Sequence, residues 1–402
     1  TPDEHRERLE SELKAGAARV AEDSPPPARR IKPGAPPETR LRAQMRTVLS
    51  RAAEARAELA KLEDLPDEER HKTLAAIETT EAAVHDPRLK EIDPEYEPPV
   101  EPLSDDVPGP GADLSERDFT DQDLSGRDLS GADLSGALLV RTNLRGAKLR
   151  GAKLYKAIIY RADLREADLD EADLSKVNAA RADLGGASLK RCTLDEGFYE
   201  DADLRRANLT GATGSYVVFT RSKLADAILK EVKLERADLS EADLRGADLS
   251  GADLTRAFLG DARAEKAKFH RATLTQTGFN GAALREADFT DASAAESVWI
   301  AADLSEADLT GIDLSAAEMS KCIARRAKLV AVVLRKARLL KSVLDEADVS
   351  GSDLHEAVLD RAQLSQTQFV GANLYGSSFL GAQGKGTNLR DAIVTFSSLE
   401  RA

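Results

Sequence analysis

Rings are scarce in this chain. Phe, Tyr and Trp make up only 4% of its 402 residues, with a single Trp, so an ordinary globular core built around large aromatic side chains is not expected. Cysteine is nearly absent too. Cys192 and Cys322 lie far apart in the chain and read as small apolar fillers in a reducing compartment rather than as a disulfide or a reactive pair. No apolar run approaches the roughly 18 residues of a membrane-spanning helix, and no basic-then-apolar leader opens the chain, so a cytoplasmic protein without membrane contact is expected. Histidine is sparse as well. His5, His71 and His85 precede residue 110 while His270 and His355 stand far apart, and no Cys/His group has metal-ligand spacing. Phosphate-binding glycine loops and nucleophile motifs are missing, as is any basic stripe for nucleic acid. These absences argue against an enzyme, a cofactor, a metal site and a small-molecule substrate.

What the chain does have is a period. From Leu114 to Leu399 a central residue recurs every five positions, 58 times without insertion or deletion; Leu fills 39 of those positions and Phe seven. Two residues earlier stands a small side chain, Ala at 37 of the 58. The consensus is Ala-Asp-Leu-x-x, as in Ala242-Asp243-Leu244-Arg245-Gly246. A five-residue period fits neither a helix of 3.6 residues per turn nor a long strand. Within each unit, however, an extended backbone points the small residue and the Leu to the same side. Three extended residues followed by a two-residue corner, repeated, wind into a coil.

This pattern resembles the pentapeptide repeat family over residues 111–402. The resemblance implies an all-β solenoid: a right-handed, four-sided (quadrilateral) β-helix with four pentapeptides per 20-residue coil, the Leu and the small residue inside, and about 14 coils. Stacked at strand spacing of about 4.8 Å, these make a rod roughly 70 Å long. A single coil cannot bury its Leu layer; only the stack can.

The chain ahead of the repeat reads differently. Residues 1–85 are expected to form a small α-helical leader with helices near 4–21, 38–62 and 67–85, the last two an antiparallel hairpin. Helix 38–62 gathers Leu41, Met45, Val48, Leu49, Ala52, Leu59 and Leu62 on one stripe. Residues 86–110, acidic and rich in proline, read as an extended linker. A hairpin this small leans on something else for stability. The first residue is Thr1, not Met, which suggests a longer protein upstream.

Because the register never slips, each face of the coil is legible separately. Faces are named here by their first central residue: Leu114, Phe119, Leu124 and Leu129. The second face carries large apolar residues where water is expected: Leu138, Val140, Ile158, Tyr160, Phe198, Val218, Phe258, Val298, Ile300, Leu340, Val358 and Leu380. The other three faces carry two or three each. A strip of this extent marks a contact surface, for a protein partner, for self-association or for the leader hairpin. Asp163, Asp183 and Asp203 stack on the third face, but Arg165, Arg205 and Arg206 beside them favour a solvated mixed-charge surface over a cation ladder.

The ends differ from the middle. Arg117, Gln122 and Arg127 occupy the inward small slot, which suits only an open, solvated first coil. In the last coil Val394, Phe396 and Leu399 are candidates for end-to-end dimerisation, since an uncapped β-helix leaves apolar side chains and backbone groups unmatched; the resemblance implies the same, because family members often dimerise there. Some members are also thought to imitate DNA at type II topoisomerases such as gyrase, which demands a dense acidic surface. The net charge of −14 divides into −8 for residues 1–110 and −6 for 111–402, where 46 acidic residues meet 40 basic ones. The expected function is therefore a non-catalytic interaction scaffold, with gyrase-directed DNA mimicry as the competing class. By analogy with pentapeptide rods fused behind adaptors of type VI secretion systems, it is a candidate C-terminal part of such an adaptor.

Overall fold

A computed structural model describes residues 109–398. The expected leader (1–85), nearly all of the linker (86–110) and Leu399 lie outside the described residues. From Asp113 onward, each residue preceding a central position forms a parallel bridge to the residue 20 further on: Asp113 to Asp133, Leu138 to Ile158, and so to Ser378 with Ser398. Four such bridges occur per 20 residues, so the chain turns through four sides before stacking on itself. Each side is a single isolated bridge, shorter than the three-residue strand expected from the sequence. Among the described residues there is no helix.

The corners explain how so short a side closes. Every fifth residue from Gly111 to Phe396 has a positive φ, and 41 of these residues are not glycine, with φ between 54° and 63°. The residue after nearly every corner donates its N–H to the carbonyl three back, as Ala132 does to Leu129 at 3.0 Å. That bond, with positive φ at the third position, marks a type II turn. A non-glycine residue in this region costs about 1–2 kcal/mol, so the winding holds only because the stack over-determines it.

Two features repay that cost. The backbone is paired coil to coil: Leu114 N–H donates to the Asp133 carbonyl (2.7 Å) and Asp133 N–H to the Ala112 carbonyl (2.8 Å), a pattern that recurs along the coil. The interior is apolar as well, for every central residue from Leu114 to Phe379 is buried, each Leu contributing about 1.5–3 kcal/mol. Rings stack along a side, Phe279 on Trp299 at 4.1 Å and Phe269 on Phe289 at 4.7 Å, and meet edge-on across the tube, Phe279 against Phe289 at 6.0 Å. Second-face and fourth-face rings thus touch through the core.

The consensus Asp has its own job, which the sequence reading assigned only to solvated charge. Ser125 N–H donates to Asp123 Oδ1 (2.9 Å) and Ser240 N–H to Asp238 Oδ1 (3.0 Å). A Ser or Thr two residues on adds its hydroxyl, as Ser130 Oγ does to Asp128 (2.7 Å). The carboxylate closes the turn that follows it.

Candidate interaction surface

Outward residues on a solenoid wall are shaped by the two positions flanking each centre. On the second face the twelve apolar residues divide by height. Leu138, Val140, Ile158, Tyr160, Phe198 and Val218 are buried, between 1% and 4% exposed. Phe258, Val298, Leu340 and Val358 are half-buried. Ile300 and Leu380 are open, at 37% and 45%. The buried six form two outer clusters separate from the core: Leu138, Val140, Ile158, Tyr160 and Ala180, and then Phe198 with Val218. The 20-residue bridges put all twelve on one face, and nothing in the sequence signals that its two halves differ in access.

The last described coil is the most exposed apolar region. Leu389, Ile393, Val394 and Phe396 are all open, Phe396 at 78%, and Phe396 meets Tyr375 edge-on at 5.3 Å. Leu389 and Val394 are central residues, inward by register, yet exposed here. At the other end Arg117 is exposed and Gln122 and Arg127 are half-buried, unlike the buried small slots from Ala132 to Ala382.

Elsewhere the wall is charged, and many of its charges are paired. Arg141 joins Asp121 one coil below (2.5 Å), Glu171 receives both Arg150 (2.7 Å) and Arg191 (2.5 Å), and Arg326 reaches Glu306 (2.6 Å). Within single turns Arg165 and Arg245 fork onto Asp163 and Asp243. The guanidinium hydrogen bonds hold both carboxyls below their usual range, against the opposing effect of burial. Arg165 also lies 3.6 Å from Asp183, so an arginine occupies the space between two rungs of the Asp163–Asp183–Asp203 stack. Among the described residues no group of three His, Cys, Asp or Glu is arranged to hold a metal. Both cysteines are buried and unpaired, and burial pushes the Cys322 thiol up to about 12 and the Cys192 thiol up as well, the opposite of an activated nucleophile. No helix among the described residues is long and apolar enough to cross a membrane.

A four-sided parallel β-solenoid with a charge-paired wall and apolar contact areas is the class these features define. Residues 118–195, 200–291, 300–335 and 337–402 match the family described as Pentapeptide repeats (8 copies), and the chain belongs to that family. Its fold is accordingly the right-handed quadrilateral β-helix. Among solved structures the chain is similar to HetL, a pentapeptide repeat protein involved in heterocyst differentiation regulation from the cyanobacterium Nostoc sp. strain PCC 7120. Identity there is 25%, over 73% of this chain and 90% of that one, with a TM-score of 0.16. It is similar also to full-length QnrB1, a plasmid-mediated fluoroquinolone resistance protein: 19% identity, 51% of this chain, 90% of that one, TM-score 0.23. A pentapeptide repeat protein from the Arabidopsis thaliana thylakoid lumen shares 35% identity over 29% of this chain and 70% of its own, TM-score 0.17. Scores this low carry nothing about the action of this chain. A search of curated proteins returns no match.

Proposed function

We propose that this chain is a non-catalytic, rod-shaped interaction scaffold. Its contact areas are the less buried upper part of the second face (Phe258, Val298, Ile300, Leu340, Val358, Leu380) and the last coil (Val394, Phe396, Leu399). The observation that carries the reading is the contrast on the wall: six of the nine exposed large apolar residues among the described ones, Tyr375, Leu380, Leu389, Ile393, Val394 and Phe396, cluster near one end, while the wall elsewhere carries many paired charges. A concentrated apolar area on an otherwise charged surface is a contact surface. The chain is read as a helical leader (1–85), a linker (86–110) and a β-helix of about 14 coils (111–402), acting in the cytoplasm. The Asp and Glu side chains paired with Arg and Lys weigh against a DNA-like acidic surface, so gyrase is not the preferred partner. The more specific role, the C-terminal part of a type VI secretion adaptor, rests on analogy with such fusions and is tested by whether loss of the chain abolishes contact-dependent delivery.

The direct test is solution mass by light scattering. The intact chain is expected to be a dimer at micromolar concentration, and Val394→Asp with Phe396→Asp is expected to yield a folded monomer. A wild-type monomer, or a variant that still dimerises, would remove the last coil from the reading.

A further inference from the structure

Coil 321–340 carries seven Lys or Arg and no Asp or Glu. Six of the seven are neutralised by the neighbouring coils. Arg326, Lys328 and Arg338 pair with Glu306, Asp308 and Glu318 below, and Arg325, Arg335 and Lys336 with Asp345, Asp353 and Glu356 above. Lys321 departs from this rule. The next residues on its corner are Lys341 and Arg361, so cation stands on cation, bracketed by Ala301 below and Gly381 above. All three cations are exposed, and none makes a side-chain hydrogen bond or ion pair among the described residues. Their backbone N–H groups donate to the carbonyls of Leu340, Asp360 and Leu380 at 2.9, 2.9 and 3.0 Å. The ladder therefore runs along the edge of the upper second face, beside Leu340 and Leu380 and on the wall that holds Val298, Ile300 and Val358. Like charges one coil step apart, about 4.8 Å, repel. The carboxylates of this wall are already engaged, Glu318 with Arg338, and Asp360 with the Ser378 hydroxyl and the Leu380 N–H.

Building on the scaffold reading above, we propose that the upper second face receives an amphipathic helix of a partner protein. Its apolar stripe lies along Ile300, Leu340, Val358 and Leu380, and a row of Asp or Glu along one edge of that stripe meets Lys321, Lys341 and Arg361. Charge complementarity selects this occupant, since three unpaired cations in line call for carboxylates in line. The pitch selects the helix. From Lys321 to Arg361 is two coil steps, about 10 Å. Carboxylates at i, i+4 and i+7 of a helix span about 10.5 Å, whereas alternate residues of a strand, i, i+2 and i+4, span about 13 Å. The apolar residues from Ile300 to Leu380 cover four steps, about 19 Å, which about 13 residues of helix would match. The arrangement of charge also separates a helix from a lipid surface. Cations line one edge only, while the opposite edge holds Glu296 and Glu356 with Lys336. An anionic bilayer would press on both edges, and a narrow helix answers to one.

Fluorescence anisotropy with the intact chain tests this. The probe is a labelled synthetic helical peptide of about 18 residues, with Leu on one stripe and Glu on three successive turns along one edge of it. The wild-type chain is expected to bind it in a salt-sensitive manner. The triple variant Lys321→Glu, Lys341→Glu, Arg361→Glu is expected to bind at least about tenfold more weakly and to prefer a matched peptide carrying Lys in place of Glu. Glu already stands in left-handed corners at Glu346 and Glu356, so the triple variant is expected to keep its circular dichroism. Equal binding by wild type and triple variant, or no binding by either, would overturn the helix site. The scaffold reading would survive that result, because dimerisation through the last coil does not involve these three residues. Val394→Asp with Phe396→Asp is expected to bind the acidic peptide as wild type does; loss of binding there would overturn the ladder by moving the peptide to the last coil. Binding to phosphatidylserine vesicles with no binding to the peptide would overturn the helix in favour of a membrane surface.

Discussion

The indole Nε1 of Trp299 donates to Ser297 Oγ at 2.6 Å, and the Ser297 hydroxyl in turn donates to the Ala294 carbonyl. Ser297 occupies an inward slot that Ala fills in most coils, and all three residues are buried. The only Trp in the chain therefore comes with its own acceptor two residues away. Ser297→Ala leaves a buried N–H with no partner, which costs about 1–3 kcal/mol. The expected outcome is a lower urea midpoint by Trp fluorescence, with little change in distant coils by hydrogen exchange, since solenoid stability is a nearest-neighbour sum. An unchanged midpoint would mean that the indole finds another acceptor.

Tyr199 makes the opposite case. Its ring stacks on Phe219 at 5.0 Å, but its hydroxyl is buried without a hydrogen-bond partner, and burial raises its pKa well above the ordinary value. Tyr199→Phe keeps the stack and removes the orphaned group. It is expected to raise stability by about 1 kcal/mol. Gly197→Ala is expected to do the reverse, because a Cβ there would stand 2.9 Å from Tyr199 Cε2 and 2.9 Å from the Leu194 carbonyl oxygen. Thermal melts of the two variants, moving in opposite directions, check the pair.

Corners offer a test of backbone strain. Ala316 sits at φ 57° and Gly351 at φ +67° with open space around its would-be Cβ. Ala316→Gly relieves a left-handed alanine, while Gly351→Ala creates one. Strain of about 1–2 kcal/mol is partly offset by the greater unfolded-state freedom of glycine, about 0.5–1 kcal/mol. The first variant is expected to melt slightly higher and the second lower. Two equal melts would show that the coil, not the residue, sets the corner energy.

Acid should loosen the wall late and by a known route. Asp163 and Asp243 are held low by hydrogen bonds from Arg165 and Arg245, and Asp133 by its bond to Ser135. A carboxyl whose folded pKa lies below its unfolded value near 3.9 stabilises fully above that value and loses the contribution as pH falls through the folded one. The melting temperature is therefore expected to be flat from pH 7 to about 5 and to fall below about pH 4. Asp243→Asn should lower the plateau and flatten part of the acid limb. A decline already complete by pH 5 would contradict this.

How far the sequence carried the reading depends on which contacts are local. The unbroken five-residue register, taken with the four units per coil that the resemblance implies, placed Leu114 through Phe379 inside and assigned Tyr199, Phe279 and Trp299 to one side of the tube, because a periodic winding leaves side chains no freedom to drift. It did not show that Arg236 or Glu241 sit in left-handed corners, since charged residues carry no mark of positive φ as glycine does. The role of Asp123 was visible only as a recurring Asp two residues ahead of Ser, a spacing that signals a turn acceptor once the turn is known. The division of the apolar strip between Val218 and Phe258 was beyond sequence reading altogether, for nothing in the repeat distinguishes a coil with buried outward residues from one with open ones.

The 20-residue bridge spacing also governs how such a chain can change length. Removing one pentapeptide between Val218 and Phe258 would keep the inward pattern intact while rotating everything above it by a quarter turn. The sheltered lower strip and the open upper strip would then look out from adjacent sides. Only steps of four pentapeptides preserve their alignment. Length in this protein is thus geared to direction, and a deletion harmless to folding can still point a binding surface the wrong way.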